Sequence, residues 1–378
     1  GFNLIKMLLN DIISGKLVDS VYIIAEIGQN HQGCVETAKK MIWEAKKAGC
    51  HCVKFQKSDL PAKFTRSALD REYISDHAWG KTYGEHKEYL EFSKDQYLQL
   101  QAHCKELNVD FTASAMDERS LEFLSALNVP FIKIGSGDAN NFPLLKKAAN
   151  LNLPLVISTG MQTMQTVERI VQTMRESGKE DYALMHCVSS YPTDPKDCSL
   201  QLISVLRTRF PNVAIGYSGH ELGVIISQAA VLLGARIVER HFTLDKSQKG
   251  SDHRCSLEPQ ELKALTTAIT NFKLSSVPMP PQEIVKKLNG DEELEAALQH
   301  VESKTILPCE LPCRNKLGKS IVAARNLNKG YRLQLADMAI KVSEPSGLTA
   351  EDFLDLVGKE LADNIGEDEP ILGNSIIN

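Results

Sequence analysis

Short apolar runs rich in β-branched residues recur along the first two thirds of the chain. Each is followed by a polar or glycine-containing turn and then by a stretch with apolar residues three and four apart. The runs read as buried strands and the stretches as amphipathic helices. Eight runs are found, at 21–28, 50–56, 109–116, 130–136, 154–160, 182–191, 213–220 and 236–243. Strands that are apolar throughout are covered on both faces, so the sheet is parallel, and eight such units in roughly 250 residues are what a (β/α)8 TIM barrel needs. A doubly wound open sheet is the alternative architecture.

One step in the pattern is long. Between the second and third runs lies the polar and aromatic segment 57–92, which contains Trp79-Gly80-Lys81-Thr82-Tyr83-Gly84-Glu85-His86. On a barrel this is an enlarged loop over the catalytic mouth, and its aromatics together with Gly80 and Gly84 favour an ordered lid. After the eighth unit, Val277-Pro278-Met279-Pro280-Pro281 ends the pattern, and a charged helical stretch runs to about Ser303. From Lys316 the chain turns to short strands at 320–327 and 339–342, separated by Asn328-Lys329-Gly330, with a small helix near 350–356 and then Gly358. The domain reading is an N-terminal extension over 1–20, a barrel over 21–276, a linker over 277–315 and a small mixed domain over 316–378. A unit of about 60 residues is marginal alone and should lean on something larger.

Composition narrows the function classes. With 43% hydrophobic and 24% charged residues the chain is an ordinary globular protein, and 43 basic against 48 acidic residues leave a net charge of −5, no basic field for a nucleic acid. Nine cysteines, an odd number with spacings such as Cys50-x-Cys52 and Cys309-x-x-x-Cys313, fit neither a disulfide framework nor a structural zinc site. They read as reduced thiols in a cytoplasmic protein. The apolar stretch 2–13 is interrupted by Lys6, Asn10 and Asp11, so it is neither a signal peptide nor a membrane span and should pack on the body of the protein.

Residues two apart in a strand share a face, so the inward set of the barrel can be read off. Its C-terminal ends are polar. The first run offers Glu26, with Asn30 and His31 beyond it; the second Lys54 and Gln56; the fourth Lys133 and then Gly135-Ser136-Gly137-Asp138. The later runs end in Ser158, in Ser189 and Tyr191, in Ser218 and His220, and in Glu239 and His241, with Asp252 a short loop later. Four ionisable groups inside apolar runs, Glu26, Lys54, Lys133 and Glu239, would each cost several kcal/mol unless paired or liganded. Lys54 and Lys133 with Ser136, Ser158 and Ser218 suit a dense anion such as a phosphate with a carboxylate. His220 and His241 could share an exchangeable Mn²⁺ or Mg²⁺ with open positions for substrate and water, leaving Glu26, Glu239 and Asp252 as acid, base and hydroxyl-orienting groups. His186, out of phase with Ser189 and Tyr191, is structural. Lys63, Arg66, Arg71 and Lys81 on the lid are either a solvated face or a second phosphate site.

Five ordered motifs carry a resemblance. Ala25-Glu26-Ile27-Gly28-Gln29-Asn30-His31-Gln32-Gly33, Val53-Lys54-Phe55-Gln56, Ile132-Lys133-Ile134-Gly135-Ser136-Gly137-Asp138, Gly216-Tyr217-Ser218-Gly219-His220-Glu221 and Glu239-Arg240-His241-Phe242-Thr243 closely resemble the sialic acid synthase (N-acetylneuraminate synthase) family. The end of the chain, from Leu317-Gly318-Lys319-Ser320, resembles its antifreeze-like (SAF) domain, and the lid string with Asn140-Asn141-Phe142-Pro143 resembles the animal branch, which makes N-acetylneuraminate 9-phosphate. The resemblance implies a condensation of phosphoenolpyruvate with N-acetylmannosamine 6-phosphate and release of inorganic phosphate by C–O cleavage. It implies that Lys54, Gln56, Lys133, Ser136, Ser158, Ser189 and Ser218 bind substrate and that His220 and His241 hold the metal. Glu26, Glu239, Tyr191 and Asp252 then form the catalytic set, in a domain-swapped homodimer. Two positions depart from the bacterial pattern: Ser189 stands where those relatives carry Asn, and no Arg occurs in Glu344-Pro345-Ser346-Gly347-Leu348. Unphosphorylated N-acetylmannosamine and mannose 6-phosphate are the alternative sugars, and a non-catalytic, even ice-binding, protein is the alternative class.

Overall fold

All eight expected strands form: β1 Tyr22–Gly28, β2 Cys52–Lys57, β3 Asp110–Ala115, β4 Ile132–Ile134, β5 Leu155–Ser158, β6 Tyr182–Cys187, β7 Ala214–Gly219 and β8 Ile237–His241. In the computed structural model, which describes residues 4–377, they pair in parallel and in chain order, and β1 closes on β8. Ile24 of β1 stands opposite Cys52 on one side and Glu239 on the other, so the sheet is a closed barrel and the doubly wound alternative is set aside. β6 is shorter than its apolar run. The backbone N–H of Ser189 leaves the ladder to donate to Glu310, a partner far away in the chain.

Each strand carries two chemistries on its inward face. Near the N-terminal ends Tyr22, Ile24, Cys52, Phe131, Val156, Ala183 and Ile237 fill the barrel, together with Leu9, Ile12 and Ile13 of the helix Leu4–Ile13. Those three positions lie one turn apart on a single helix face, which closes the bottom of the barrel as a plug. The apolar terminal stretch therefore packs on the body as expected, with Phe2 and Asn3 outside the described residues. Two residues further along the same inward faces come Glu26, Lys54, Lys133, Ser158 and Glu239, joined by Ser218 of β7, all buried. The outward faces, such as Ile23, Ala25, Val53, Phe55 and Val238, pack under the helical coat.

The long insertion is ordered. It holds three short helices, Leu60–Lys63, Arg66–Asp70 and Tyr83–Leu90, whose first turns are capped by the side chains of Asp59, Thr65 and Thr82. Trp79 stacks on Tyr89 with ring centres 4.5 Å apart, and Tyr73 packs on Tyr83 and His86. The segment after the barrel is packed as well: Ile284, Leu294, Ala297 and Leu298 join the main core, and the helix Leu311–Leu317 reaches the cavity.

The C-terminal unit pairs β9 Ser320–Ala323 with β10 Met338–Lys341 and β11 Glu360–Leu361 with β12 Ile376–Ile377, around its own core of Ile321, Leu327, Leu333, Leu361 and Ile371. The expected small helix at 350–356 is a 3-10 turn. The unit leans on the barrel as its size required. Lys319 forms a buried ion pair with Asp138 at 2.7 Å, Asn140 donates to Glu351 at 2.7 Å, and Val342 N–H donates to Lys63 on the lid at 2.8 Å. All nine cysteines are unpaired thiols, and no described helix is long and apolar enough to cross a membrane.

Candidate active site

The C-terminal mouth of the barrel opens into a cavity of about 520 Å³. All thirteen site residues expected from the sequence line it: Glu26, Lys54, Gln56, Lys133, Ser136, Ser158, Ser189, Tyr191, Ser218, His220, Glu239, His241 and Asp252. They come from seven of the eight strands and the loops that follow them, so closure of the barrel is what brings them together.

The floor is a buried ionic network. Lys54 Nζ pairs with Glu26, lies 3.6 Å from Glu239 and donates to Ser114 Oγ at 2.8 Å. Lys133 Nζ lies 3.7 Å from Glu239 and donates to Ser158 Oγ at 2.8 Å, while Ser218 Oγ reaches Glu239 at 3.4 Å. The two carboxyls are driven apart. Burial would raise Glu239, but Lys133, Lys54 and the two imidazoles more than offset it and bring the group to about 2. Glu26 is pushed up by burial, against the opposing pull of Lys54 and with the added repulsion of Glu239. The two carboxyls are thus pushed in opposite directions, the kind of separation that an acid and base pair needs. Oε1 of Glu26 and Oε2 of Glu239 are buried without a hydrogen-bond partner, and both residues line the cavity.

Beside this floor sits a cradle. Ser136 Oγ accepts from Gly160 N–H at 2.9 Å, and Ser189 Oγ is buried and unpartnered. A Cβ on Gly160 would stand 2.3 Å from Ser189 Oγ and 2.7 Å from Ser136 Oγ, so only glycine leaves the hydroxyls room. Glu310 holds the two loops together: its Oε1 accepts from Met161 N–H and Ser189 N–H, each at 2.9 Å, and its Oε2 from Leu307 N–H at 2.9 Å.

Above the floor the His220 and His241 rings stand 5.4 Å apart, with Tyr191 4.1 Å from His220 and 5.9 Å from His241. Nδ1 of His220 is engaged with Val188 O at 2.8 Å, which leaves its Nε2 available, and burial lowers this imidazole to about 3, the neutral form that ligates metals. Nδ1 of His241 is buried with no hydrogen bond, 4.0 Å from the Asp252 carboxylate. Among the described residues no three His, Cys, Asp or Glu side chains are grouped to hold an ion. The donor set fits an exchangeable divalent ion anchored at two imidazoles, with the remaining positions left to substrate and water, and does not fit a structural metal.

Several lining residues escaped the sequence reading. Ser114, two places beyond Thr112 on the inward face of β3, was legible from strand parity. Lys87 on the lid, Lys249 in the loop after β8, and Cys309, Cys313 and Lys316 beyond the barrel carried no local signal. Of the four lid bases singled out, only Lys63 lines the cavity. Arg66 and Lys81 are exposed and Arg71 lies over the Tyr83 ring, so these three are the solvated face rather than a second phosphate site. His186 sits outside the cavity, hydrogen-bonded to Cys198 O, in the structural role expected.

Known proteins are similar to this chain in sequence and fold. Residues 41–277 match the NeuB family and residues 318–377 match the SAF domain. The N-acetylneuraminate-9-phosphate synthase of Mus musculus is 47% identical over 355 residues, covering 94% of this chain and 92% of its own. Among solved structures, spore coat polysaccharide biosynthesis protein spsE of Bacillus subtilis aligns over 95% of this chain and 96% of its own, with a TM-score of 0.74 and 30% identity. N-acetylneuraminic acid (sialic acid) synthetase of Leptospira borgpetersenii, solved with citrate, aligns over 71% of this chain and 92% of its own, with a TM-score of 0.58 and 32% identity.

Proposed function

The chain belongs to the NeuB family and carries a SAF domain, and from that premise we propose that it condenses phosphoenolpyruvate with N-acetylmannosamine 6-phosphate and water to give N-acetylneuraminate 9-phosphate and inorganic phosphate. The observation that carries this reading is the floor of the cavity, where two buried lysines and two carboxyls whose acidities are pushed in opposite directions lie beside a hydroxyl cradle and beneath two free imidazole edges.

In this reading Lys54 and Lys133, with Ser136, Ser158, Ser189 and Ser218, take the phosphate and carboxylate of phosphoenolpyruvate, and a Mn²⁺ or Mg²⁺ ion held by His220 and His241 supplies Lewis acidity at the sugar aldehyde. Tyr191 walls the pocket beside the imidazoles, while Gln56 and Asp252 orient sugar hydroxyls. The methylene carbon of phosphoenolpyruvate forms the new C–C bond with the aldehyde carbon, and the aldehyde oxygen takes up a proton, for which Glu26 is the available acid. Water adds at the neighbouring phosphate-bearing carbon as Glu239 accepts one of its protons, and this centre collapses to the ketone as its hydroxyl proton and the bridging oxygen leave with phosphate. With bridging ¹⁸O in phosphoenolpyruvate the label should appear in phosphate; label retained in the sugar acid would overturn this step.

The direct test is phosphate release from phosphoenolpyruvate, with Mn²⁺ or with EDTA, offering N-acetylmannosamine 6-phosphate, unphosphorylated N-acetylmannosamine and mannose 6-phosphate in parallel. Metal-dependent release with the phosphorylated amino sugar is expected, and no release with any of the three would overturn the reading. The reading extends to a cytoplasmic homodimer that exchanges SAF domains, so that contacts such as Lys319 with Asp138 would form between protomers. A monomer mass by light scattering at micromolar concentration would count against it.

A further inference from the structure

Seven lysines but only four carboxylic side chains line the cavity. Lys54 and Lys133 are neutralised on the floor by Glu26 and Glu239, and Lys319 by Asp138, while the fourth acid, Asp252, lies beside His241. That leaves Lys63, Lys87, Lys249 and Lys316, for which no carboxylate stands within ion-pair distance among the described residues, although Lys87 and Lys316 lie near enough to Asp252 to help hold its carboxyl down. Lys63 Nζ lies over the Phe64 ring, at 4.8 Å, and the residue is buried. Lys87 Nζ donates to Gln29 Oε1 at 3.1 Å, and Lys249 Nζ sits 4.3 Å over the Trp79 ring. None of the four is on a barrel strand. Two belong to the lid, one to the loop after β8 and one to the helix Leu311–Leu317, so they ring the mouth and not the floor.

Their charges act on one another and on the same neighbours. His86, also in the lining, is held down to about 4 by burial and then by Lys87, Lys316 and Lys249. Lys63 is lowered to about 7 by burial and then by Lys87 and Lys319. Cations that outnumber the acids of a concave site need a further anion, and a buried ammonium needs one most. A phosphate monoester supplies three acceptor oxygens and about two charges, enough for several such donors at once.

We propose that Lys63, Lys87, Lys249 and Lys316 form a second anion subsite at the cavity mouth, which takes the terminal phosphate of a phosphorylated amino-sugar substrate. The inference rests on the synthase reading and specifies where its sugar is selected: phosphoenolpyruvate is bound by the strand lysines on the floor, and the sugar phosphate by lysines on the lid, the loop and the connecting helix. The lid helix Tyr83–Leu90 carries Lys87 and packs against Leu60–Lys63, so the two lid lysines are held on one packed unit.

The test is the selectivity ratio, kcat/KM for N-acetylmannosamine 6-phosphate over that for N-acetylmannosamine, in the full-length protein and its variants. K63M and K87M should each lower the ratio by about tenfold or more, the loss of one charge-assisted contact to phosphate, and K249M and K316M by about threefold. R66Q and K81Q, which alter cations outside the cavity, should stay within about twofold of the parent ratio. An unmoved ratio in K63M and K87M, or an equal fall in R66Q, would overturn the subsite while leaving the synthase reading in place. Absence of phosphate release by the parent protein with any sugar would instead overturn the synthase reading. Thermal melts separate loss of contact from loss of fold.

Discussion

The two ends of the barrel are built from the same eight strands and have opposite chemistry. At the N-terminal end Ile24, Val156 and Ile237 meet Leu9 and Ile12 of a helix that shuts the barrel, and the packing there is apolar. Two residues further along the same faces, Glu26, Ser158 and Glu239 enclose a network in which every charge is set against another. Strand parity makes both ends with one pattern, so the difference lies in which residue occupies each inward slot. The teaching is a division of labour: one end can be loosened at a cost in stability alone, and the other altered at a cost in chemistry with the fold left standing.

The widest separation of the two costs should come from His241. H241A removes, at the end of β8, one of the two imidazoles proposed to anchor the metal, without touching the apolar layers. It should lower kcat/KM for metal-dependent phosphate release by about 10³-fold or more, with little change in the thermal midpoint. Full activity in this variant would undo the metal assignment and blur the contrast between the ends.

Glu239 sharpens the contrast through pH. E239Q should lower kcat by about 10²- to 10⁴-fold, the range for loss of a general base. Its folded value of about 2 lies below the ordinary 4.5, so its stabilising contribution is fully present above about 4.5 and is lost as the pH falls towards 2. Glu26, raised by burial, acts in the opposite sense: its contribution is present below the ordinary carboxyl range and lost as the pH rises through its folded value. Denaturant titrations between pH 2 and 5 should therefore show a shallower fall in stability for E239Q than for the parent. An identical acid limb would mean that Glu239 is not the ionised partner of Lys54 and Lys133.

At the other end, I12A removes most of a side chain that is 3% exposed in the plug. About 2 to 4 kcal/mol of stability should be lost, with KM for both substrates unchanged. An altered KM would show that the plug communicates with the mouth through the strands.

Much of this was legible in the chain. Apolar runs of β-branched residues located all eight strands, and parity with the five motifs located thirteen residues that line one cavity. What was not legible depended on chain segments that meet only in the folded protein. Glu310 had no motif, yet it holds Met161 and Ser189, which lie 149 and 121 residues away, and so ends β6 earlier than its composition indicates. The mouth lysines failed for a related reason. Lys63 and Lys81 look alike in sequence, but packing of the lid turns one into the cavity and leaves the other in water.

The smallest expected effect tests whether the mouth behaves as a separate unit from the floor. The helix Tyr83–Leu90 begins with a capping box, in which Thr82 Oγ1 accepts from Glu85 N–H at 3.1 Å and Glu85 returns a carboxylate oxygen to Thr82 N–H at 3.2 Å. T82A leaves an N–H of the first turn unsatisfied and weakens this helix by about 1 kcal/mol. Because the helix lies on the lid and outside the barrel core, the cost should appear as local opening and not as a change in the global midpoint. Amide exchange in residues 83–90 should quicken about fivefold, since 1 kcal/mol corresponds to that factor at room temperature. Lys87 rides on the helix, so KM for the phosphorylated sugar should rise by no more than about threefold, while KM for phosphoenolpyruvate, whose proposed site is on the strands, should not move. An equal rise in both constants would mean that lid and floor open together, and the division between a rigid strand-built floor and an adjustable lid-built mouth would fail.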